Sequence, residues 1–420
     1  MSGHENAMLT YLRGVVAFDR GRKEEGLRDI VDAFHGFDAS GQFNATVLAG
    51  LMGATAAIAC GQYDTAERLL VHVDASVTGS VADNYGGVLD LNRAWLAHRR
   101  GDRLAAERLL AQALRQARNS RARPRYRWYP AALAEMLPVA LERGIEPQTA
   151  RMLAQDLGVA PTSALGIEDW PWPIKVYTLG RFELVIDGTP MVFERKAPKK
   201  ALALLQAIVA FGSCDVSEDR LIEALWPDEE GDAAHRVFNT TLYRLRRLMR
   251  NNAAIVQSGG RLTLDSRHCW VDAYVFERAL EGGGNAMRGN MGPRPGLDLY
   301  RGAFLAHEDG TPWIVPARER LRGKFVQAVR LAASAFEDRG DYDDAIRWYL
   351  RGLEADNLIE LFYQGLMRCH GRLERNAEVA DIYRRLKRVL SISLGARPSP
   401  ASEKLYHQSL TAASRLPSNS

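Results

Sequence analysis

Cysteine is scarce in this chain of 420 residues, which has only Cys60, Cys214, Cys269 and Cys369. The four lie far apart, which argues against a disulfide framework and favours a reducing compartment. No run of about 18 apolar residues occurs, so the sequence predicts no transmembrane helix. The first residues, MSGHENAML, lack the basic-then-apolar pattern of a secretion signal, and we therefore expect a cytoplasmic location.

The sequence patterns of common catalytic sites are also missing. Neither G-x-S-x-G nor H-E-x-x-H nor C-x-x-C occurs, and the nine histidines show no metal-ligand spacing. The glycine-rich stretch 282–296 has no Gly-Lys-Ser/Thr sequence, which a phosphate-binding loop requires. We therefore expect a protein that is not an enzyme, that holds no cofactor or metal, and that is not switched by ATP.

Charge is small in total but unevenly distributed. The net charge of +4 is too low to identify a nucleic-acid partner by itself. Residues 214–232 hold eight acids and one arginine, whereas residues 236–250 hold five arginines and no acid. A solvated helix usually mixes both signs, because opposite charges four residues apart stabilise it. The second segment therefore favours a phosphate-rich partner.

The basic segment 233–250, AAHRVFNTTLYRLRRLMR, has the pattern of an amphipathic helix. Phe238, Leu242, Leu245 and Met249 fall on one apolar stripe. Side chains suited to a major groove collect on the opposite face, where arginine pairs with guanine edges and asparagine with adenine. These DNA-binding candidates are Arg236, Asn239, Thr240, Tyr243, Arg244 and Arg247.

The flanking segments predict the rest of a helix-turn-helix. An apolar helix opens at Lys199 and Lys200, and a second follows in 217–227, with Ser217 as its N-cap. Downstream, IVQSGGRLTL predicts a hairpin around Gly259 and Gly260, which would form a wing. Lys199, Lys200 and Arg261 are therefore further candidates for contact with DNA.

Two motifs carry a resemblance to a known family. The segments DRLIEALWP at 219–227 and TLYRLRRLM at 241–249, with the strands before them, resemble the OmpR-like winged helix of the Streptomyces antibiotic regulatory proteins. The resemblance covers about 172–278 and implies an α+β DNA-binding domain. It also implies binding to direct repeats, so we expect a homo-dimer or a higher oligomer on promoter DNA.

The C-terminal segments resemble the domain that follows the winged helix in that family. Residues 297–322 and 394–406 are similar to the two ends of the bacterial transcriptional activation domain, which we place at 290–413. Between them, Ala333, Phe336, Gly340, Ala345 and Tyr349 fall at tetratricopeptide-like positions. A weaker second copy holds Leu366 and Tyr383. From the residues alone this segment is an all-α packing module.

The first 160 residues contain their own repeat. Gly21, Gly61 and Gly101 are 40 residues apart, and the fifth residue after each is small. The period predicts an α-solenoid of helix pairs, similar to the repeats of MalT-like regulators. Such a domain could bind a ligand or a protein, oligomerise or act as a spacer. Next to it, the run at 118–127 offers Arg121, Arg123, Arg125 and Arg127 as a candidate site for a small anionic effector or a DNA backbone, or as a solvated connection.

The acidic loop after the second helix of the helix-turn-helix is a candidate activation surface. In the OmpR-like fold the corresponding loop faces RNA polymerase, so the resemblance implies that Asp228, Glu229 and Glu230 contact polymerase, with the sigma subunit as the expected partner. The alternative is that these carboxylates only stabilise the start of the third helix.

The sequence as a whole predicts a mostly α protein in three parts: an N-terminal solenoid (1–160), a winged helix (172–278) and a C-terminal helical domain (290–413). We expect a transcription regulator that binds promoter DNA and activates transcription. The alternatives are a repressor or architectural DNA binder, and a tetratricopeptide-type scaffold that binds proteins.

Overall fold

The computed structural model describes residues 3–77, 79–119, 129–160, 167–192, 198–229, 231–282, 296–308 and 311–413. The chain separates into two compact units, Met1–Pro171 and Trp172–Ser420. Helices dominate both units, and strands occur only in the second among the described residues. The predicted fold class, mostly α with a central α+β winged helix, is confirmed.

The N-terminal unit is a stack of helices in which each helix packs on the next. This is the helix-pair architecture that the 40-residue repeat predicts. Its helices are α1 (Gly3–Asp19), α2 (Lys23–Ala39), α3 (Phe43–Ala59), α4 (Tyr63–Ser76), α5 (Ser80–Arg99), α6 (Arg103–Asn119), α7 (Pro130–Glu142) and α8 (Pro147–Asp156).

Glycines in the left-handed conformation make the tight turns between these helices. Gly21, Gly61 and Gly101 have φ values of 85°, 75° and 82°. Residues other than glycine rarely adopt such φ values. A glycine in this conformation commonly ends a helix. Gly41, with φ 68°, makes an equivalent turn. The sequence repeat of 40 residues is therefore a pair of helices with a turn about every 20 residues.

The small residue five positions after each turn lies where two helices cross. A Cβ on Gly26 would be 2.7 Å from the carbonyl oxygen of Gly14 and 2.7 Å from Cβ of Phe18. Ala66 and Ala106 occupy the equivalent positions and are buried. The close approach of α1 and α2 therefore requires glycine at position 26.

The second unit begins with two small sheets around three helices. One sheet has the order β3-β2-β1-β7 and the other has the order β4-β6-β5. The elements are β1 (Ile174–Tyr177), β2 (Glu183–Ile186), β3 (Thr189–Pro190), α9 (Lys199–Ala210), β4 (Val216–Ser217), α10 (Glu218–Leu225), α11 (Gly231–Leu248), β5 (Ile255–Ser258), β6 (Arg261–Leu264) and β7 (Cys269–Val271).

The first sheet joins strands from both sides of the three helices. β1 pairs antiparallel with β2 but parallel with β7, so the sheet is mixed. Parallel neighbours require a crossover connection, which the helices between β1 and β7 provide. Hydrophobic patterning cannot show which distant strand joins a sheet, and the three-residue β7 gives little pattern.

The C-terminal helices follow β7 directly. They are α12 (Asp272–Gly282), α13 (Ile314–Glu337), α14 (Tyr342–Ala355), α15 (Glu360–Arg372), α16 (Asn376–Leu394) and α17 (Pro400–Ala413). The turn at Gly340, with φ 80°, joins α13 to α14, and Ala333, Ala345 and Tyr349 are buried between helices. In the weaker copy, the ring of Tyr383 stacks on that of Tyr406 at 4.3 Å.

Backbone hydrogen bonds attach the C-terminal segment to the first sheet. The amide of Leu305 donates to the carbonyl of Thr178, and the amide of Gly180 donates to that of Ala303. The guanidinium of Arg318 on α13 donates to the carbonyls of Phe304 and Leu305. These bonds explain why residues 172–420 form one compact unit.

Candidate nucleic-acid interface

Helix α11 is fixed in place by the apolar stripe that the sequence indicated. Phe238, Leu242, Leu245 and Met249 are all at most 1% exposed. The helix packs on α9 and α10, and the ring of Phe238 meets that of Trp226 edge to face at 6.4 Å. Burying four large apolar side chains on one side turns the opposite side of the helix to solvent.

The solvent face of α11 holds the polar and basic side chains expected there. Positions separated by three, four, seven and eleven residues share one face of a helix, and this face runs for roughly 16 Å, about three turns. Among the described residues, no ion pair or side-chain hydrogen bond engages them, except that the Thr240 hydroxyl donates to the carbonyl of Arg236. The exposed set is Arg236, Asn239, Thr240, Tyr243, Arg244 and Arg247.

Arg246 is the arginine of this segment that does not face solvent with the others. It lies to the side of the helix, where Nη2 donates to the carbonyl of Ile255 at 3.1 Å, and its Nε is buried. Arg246 therefore holds the first strand of the wing against α11. The count of arginines overstates the exposed basic surface, because one of the five has this structural role.

The predicted wing is present as the hairpin of β5 and β6. Its turn places Gly259 at φ 56° and Gly260 at φ 70°, the positive values that a tight hairpin turn requires. The carbonyl of Gly260 accepts a hydrogen bond from the amide of Glu218, which holds the tip against the start of α10. At the return strand, Arg261 is half exposed and pairs with Asp215 at 3.0 Å.

The two lysines that open α9 have different surroundings. Lys199 is exposed and makes no ion pair or side-chain hydrogen bond among the described residues. The ammonium of Lys200 donates to the carbonyl of Leu225 at 2.9 Å and lies 5.6 Å from the centre of the Trp226 ring. Lys200 therefore stabilises the C-terminal end of α10, where a cation is favoured by the helix dipole. Contact of Lys200 or Arg261 with DNA would require an exchange of partners.

The acidic loop leads from α10 into α11. Asp228 and Glu229 are exposed, while Glu230 falls outside the described residues. The amide of Glu229 donates to the carbonyl of Trp226, which makes a turn directly after α10. The loop is therefore adjacent to the N-terminal end of the basic helix.

The candidate effector arginines, Arg121, Arg123, Arg125 and Arg127, also fall outside the described residues. Within the described ranges, no group of three or more His, Cys, Asp or Glu side chains is placed to hold a metal ion. In the same ranges, no helix combines the length and the apolar character needed to span a bilayer.

Asp272 is a structurally important residue that the sequence analysis missed. Its carboxylate is buried and accepts hydrogen bonds from the amides of Thr178, Leu179 and Ala273 and from the hydroxyl of Thr178, at 2.7–2.8 Å. It caps the start of α12 and ties that helix to the end of β1. Burial raises the pKa of Asp272 to about 6, against the effect of the four hydrogen bonds. An aspartate directly before a helical pattern is the signal that could have identified it.

Comparison with known proteins relates the C-terminal part of the chain to a known family. Residues 271–410 match the model of the bacterial transcriptional activator domain. We call this matched segment the activator domain. The activator domain begins at Val271, the last residue of β7, and includes Asp272, so its first residue lies in the first sheet.

Two individual proteins are similar to parts of the chain. The regulatory protein AfsR of Streptomyces coelicolor is 27% identical over 217 residues, which is 50% of this chain and 22% of that protein. The match therefore spans about a fifth of the length of this relative. The structure of Mycobacterium tuberculosis EmbR in complex with a low-affinity phosphopeptide aligns with a TM-score of 0.41 and 21% identity, covering 57% of this chain and 65% of EmbR. The activator domain and the similarity to AfsR confirm the resemblance to the Streptomyces antibiotic regulatory proteins.

Proposed function

We propose that this chain is a sequence-specific DNA-binding transcription activator that reads promoter DNA with α11. The observation that carries the proposal is the solvent face of that helix, where two arginines and an asparagine, Arg236, Arg244 and Asn239, are free of partners among the described residues. An ordinary surface helix would pair its arginines with acids three or four positions away. This helix has no acid after Asp232, so its arginines are available to an external anion.

The side chains on this face fit the two kinds of contact that DNA recognition requires. Arginine binds the acceptor pair of guanine with two hydrogen bonds, and asparagine binds adenine in the same way. Contacts to phosphate position the protein but carry no sequence information. We assign base reading to Arg236, Asn239 and Arg244, and phosphate contact to Thr240, Tyr243, Arg247 and Lys199. Arg261 on the wing could reach the backbone by leaving Asp215, because exposed ion pairs contribute little stability.

Activation is proposed to use the acidic loop. Carboxylates beside a phosphate-binding helix would weaken its attraction to DNA if they pointed at the duplex. Asp228 and Glu229 are exposed and are therefore available to a basic protein surface. RNA polymerase, through its sigma subunit, is the proposed partner, and the presence of the activator domain supports a role in activation.

Two measurements test the proposal. Fragments are first selected from genomic DNA by the full chain in the presence of competitor DNA, and the dissociation constants of a selected and a scrambled duplex are then compared at fixed salt. We expect a preference of at least about a thousandfold for the selected duplex. Transcription from the selected promoter with purified polymerase should rise when the chain is added. Equal affinity for both duplexes would refute sequence-specific binding, and reduced transcription at normal affinity would identify a repressor.

A further inference from the structure

A pocket in the N-terminal unit has a lining that suits a positively charged ligand. It has a volume of about 210 Å³ and lies between α1, α3, α5 and the start of α7. Its lining residues, as far as the structure describes them, all belong to the N-terminal unit. The lining residues are Tyr11, Val15, Asp19, Leu48, Leu51, Met52, Thr55, Tyr85, Val88, Tyr129 and Pro130.

The floor of this pocket is apolar and its polar groups already have partners. Leu51 and Val88 are buried. The hydroxyl of Thr55 donates to Oδ1 of Asn92 at 2.8 Å, and Nδ2 of Asn92 donates to the carbonyl of Val88. Nothing at the floor therefore requires a polar ligand, and recognition of charge falls to the remaining side chains.

Tyrosine rings supply much of the remaining wall. Packing on buried neighbours holds two of them: the ring of Tyr129 lies 5.6 Å from that of Phe18 and 6.0 Å from that of Trp95. The ring of Tyr11 meets that of Phe37 edge to face at 6.3 Å. Because this packing restrains the two rings, less entropy is lost in ordering them when a ligand binds.

These tyrosines stay neutral around pH 7. Burial, with a smaller effect of Tyr85, raises the pKa of Tyr11 to about 12. Burial also raises the pKa of Tyr129, and the negative charge of Asp19 adds to that shift. Among the described residues, the lining contains no lysine, arginine or histidine, and Asp19 is its one acidic side chain.

Asp19 has no evident structural role that would account for it. It is exposed and forms no ion pair or side-chain hydrogen bond among the described residues. It is also the last residue of α1, where the negative end of the helix dipole disfavours a carboxylate. A charge in an unfavourable position beside aromatic faces is consistent with a role in binding.

We propose that this pocket binds a small alkylammonium ligand. The tyrosine rings would surround the cationic head, because aromatic faces attract organic cations, and Asp19 would balance the charge. A cavity of about 150 Å³ accommodates benzene, so this pocket suits a compact molecule somewhat larger than a benzene ring. Repulsion from Asp19 would disfavour an anion at this place. The proposal gives the N-terminal unit a ligand, and it does not depend on the proposed DNA-binding function.

Choline and its neutral isostere 3,3-dimethylbutan-1-ol separate the effect of charge from that of shape. Each is titrated into the full chain, and binding is followed by ligand-observed saturation-transfer NMR and by calorimetry. We expect choline to bind about 3- to 30-fold more tightly than the neutral alcohol. Equal affinity of the two probes would overturn the proposal. So would a lack of choline binding at choline concentrations up to about 50 mM, roughly the weak limit of a specific site.

Variants then locate the binding site. Asp19→Asn and Tyr85→Leu should each weaken choline binding several-fold, whereas Tyr85→Phe, which keeps an aromatic face, should retain most of it. Asp32→Asn is the matched control, because it removes the same charge from an exposed position of α2 that does not line the pocket. Circular dichroism confirms that each variant is folded. Unchanged affinity in Asp19→Asn, or an equal loss in Asp32→Asn, would show that choline binds elsewhere or through net charge alone.

Discussion

Single substitutions should distinguish side chains that read bases from those that contact phosphate. Arg244→Ala or Asn239→Ala should weaken binding to the cognate duplex by about 1–3 kcal/mol, with little effect on a scrambled duplex. The physical reason is that each loses a pair of hydrogen bonds that only the correct base offers. Fluorescence anisotropy on both duplexes measures the difference. An equal loss on both would place these side chains on the phosphates instead.

Lys199→Ala should behave in the opposite way. A phosphate contact releases one counterion, so its loss should weaken binding to all sequences alike and reduce the slope of log K against log salt by about one unit. Lys200→Met provides the contrast within the same helix turn. Because Lys200 is bonded to Leu225, its replacement should lower the melting temperature more than Lys199→Ala does. A salt slope that Lys199→Ala leaves unchanged would remove Lys199 from the interface.

The buried Asp272 should make the free energy of unfolding depend on pH. Its folded pKa of about 6 lies above the ordinary value of 3.8, so the unfolded carboxyl loses its proton first as the pH rises. The contribution of Asp272 to the free energy of unfolding is therefore largest below about pH 4 and declines through about pH 6. Urea unfolding of the wild type and of Asp272→Asn should give a difference that narrows by on the order of 1–3 kcal/mol between pH 4 and 7. A difference that widens over that range would mean that the hydrogen bonds outweigh burial.

At the scale of elements, the acidic loop should act in activation and not in DNA binding. The double variant Asp228→Ala, Glu229→Ala should reduce promoter output while operator affinity and melting temperature stay close to the wild type. Asp219→Ala with Glu223→Ala is the matched control, because it removes the same charge from exposed positions of α10. If the carboxylates only stabilise the start of α11, output should fall only as far as stability does, by about 0.3–1 kcal/mol for a charge near a helix N-terminus.

The close crossing of α1 and α2 should make the N-terminal unit sensitive to substitution at Gly26. Gly26→Ala should destabilise the N-terminal unit by at least about 1–3 kcal/mol, the usual cost of overpacking, because the new Cβ meets backbone and Phe18 at 2.7 Å. Gly323→Ala, within α13, is the control, since nothing lies within 4 Å of its Cβ position and alanine favours a helix by about 1 kcal/mol. Thermal unfolding should show a loss in the first variant and a gain, or no change, in the second.

These elements also show how far the sequence alone could lead. Helical periodicity identified the buried stripe and the exposed face of α11, and the Gly259–Gly260 pair identified the wing, because each is a local pattern with a local cause. The parallel pairing of β7 with β1, and the attachment of Leu305 to Thr178, join residues about 90 to 130 positions apart. Such pairings depend on packing that periodicity does not record. The same holds for Arg246 and Lys200, whose inward contacts no residue count could distinguish from exposed charge.

For the whole molecule, we expect the chain to bind DNA as a dimer or a higher oligomer. One winged helix contacts only a few base pairs, so specificity normally needs two half-sites about one helical turn apart. A tandem arrangement is expected from the resemblance to regulators of direct repeats. Footprinting should show two protected half-sites in the same orientation, and sedimentation of the complex should give at least twice the mass of the chain. A single protected half-site with a monomeric mass would contradict this.

The proposal assigns sequence recognition to the solvent face of α11. A decisive comparison measures the affinity of the full chain for a cognate and a scrambled duplex after Arg236, Asn239, Tyr243 and Arg244 are all replaced by alanine. We expect the preference for the cognate duplex to disappear in this variant. The control Arg330→Ala with Arg388→Ala, which removes the same number of positive charges from exposed helix positions of the activator domain, should retain the preference. A fourfold variant that keeps the wild-type preference would contradict the account.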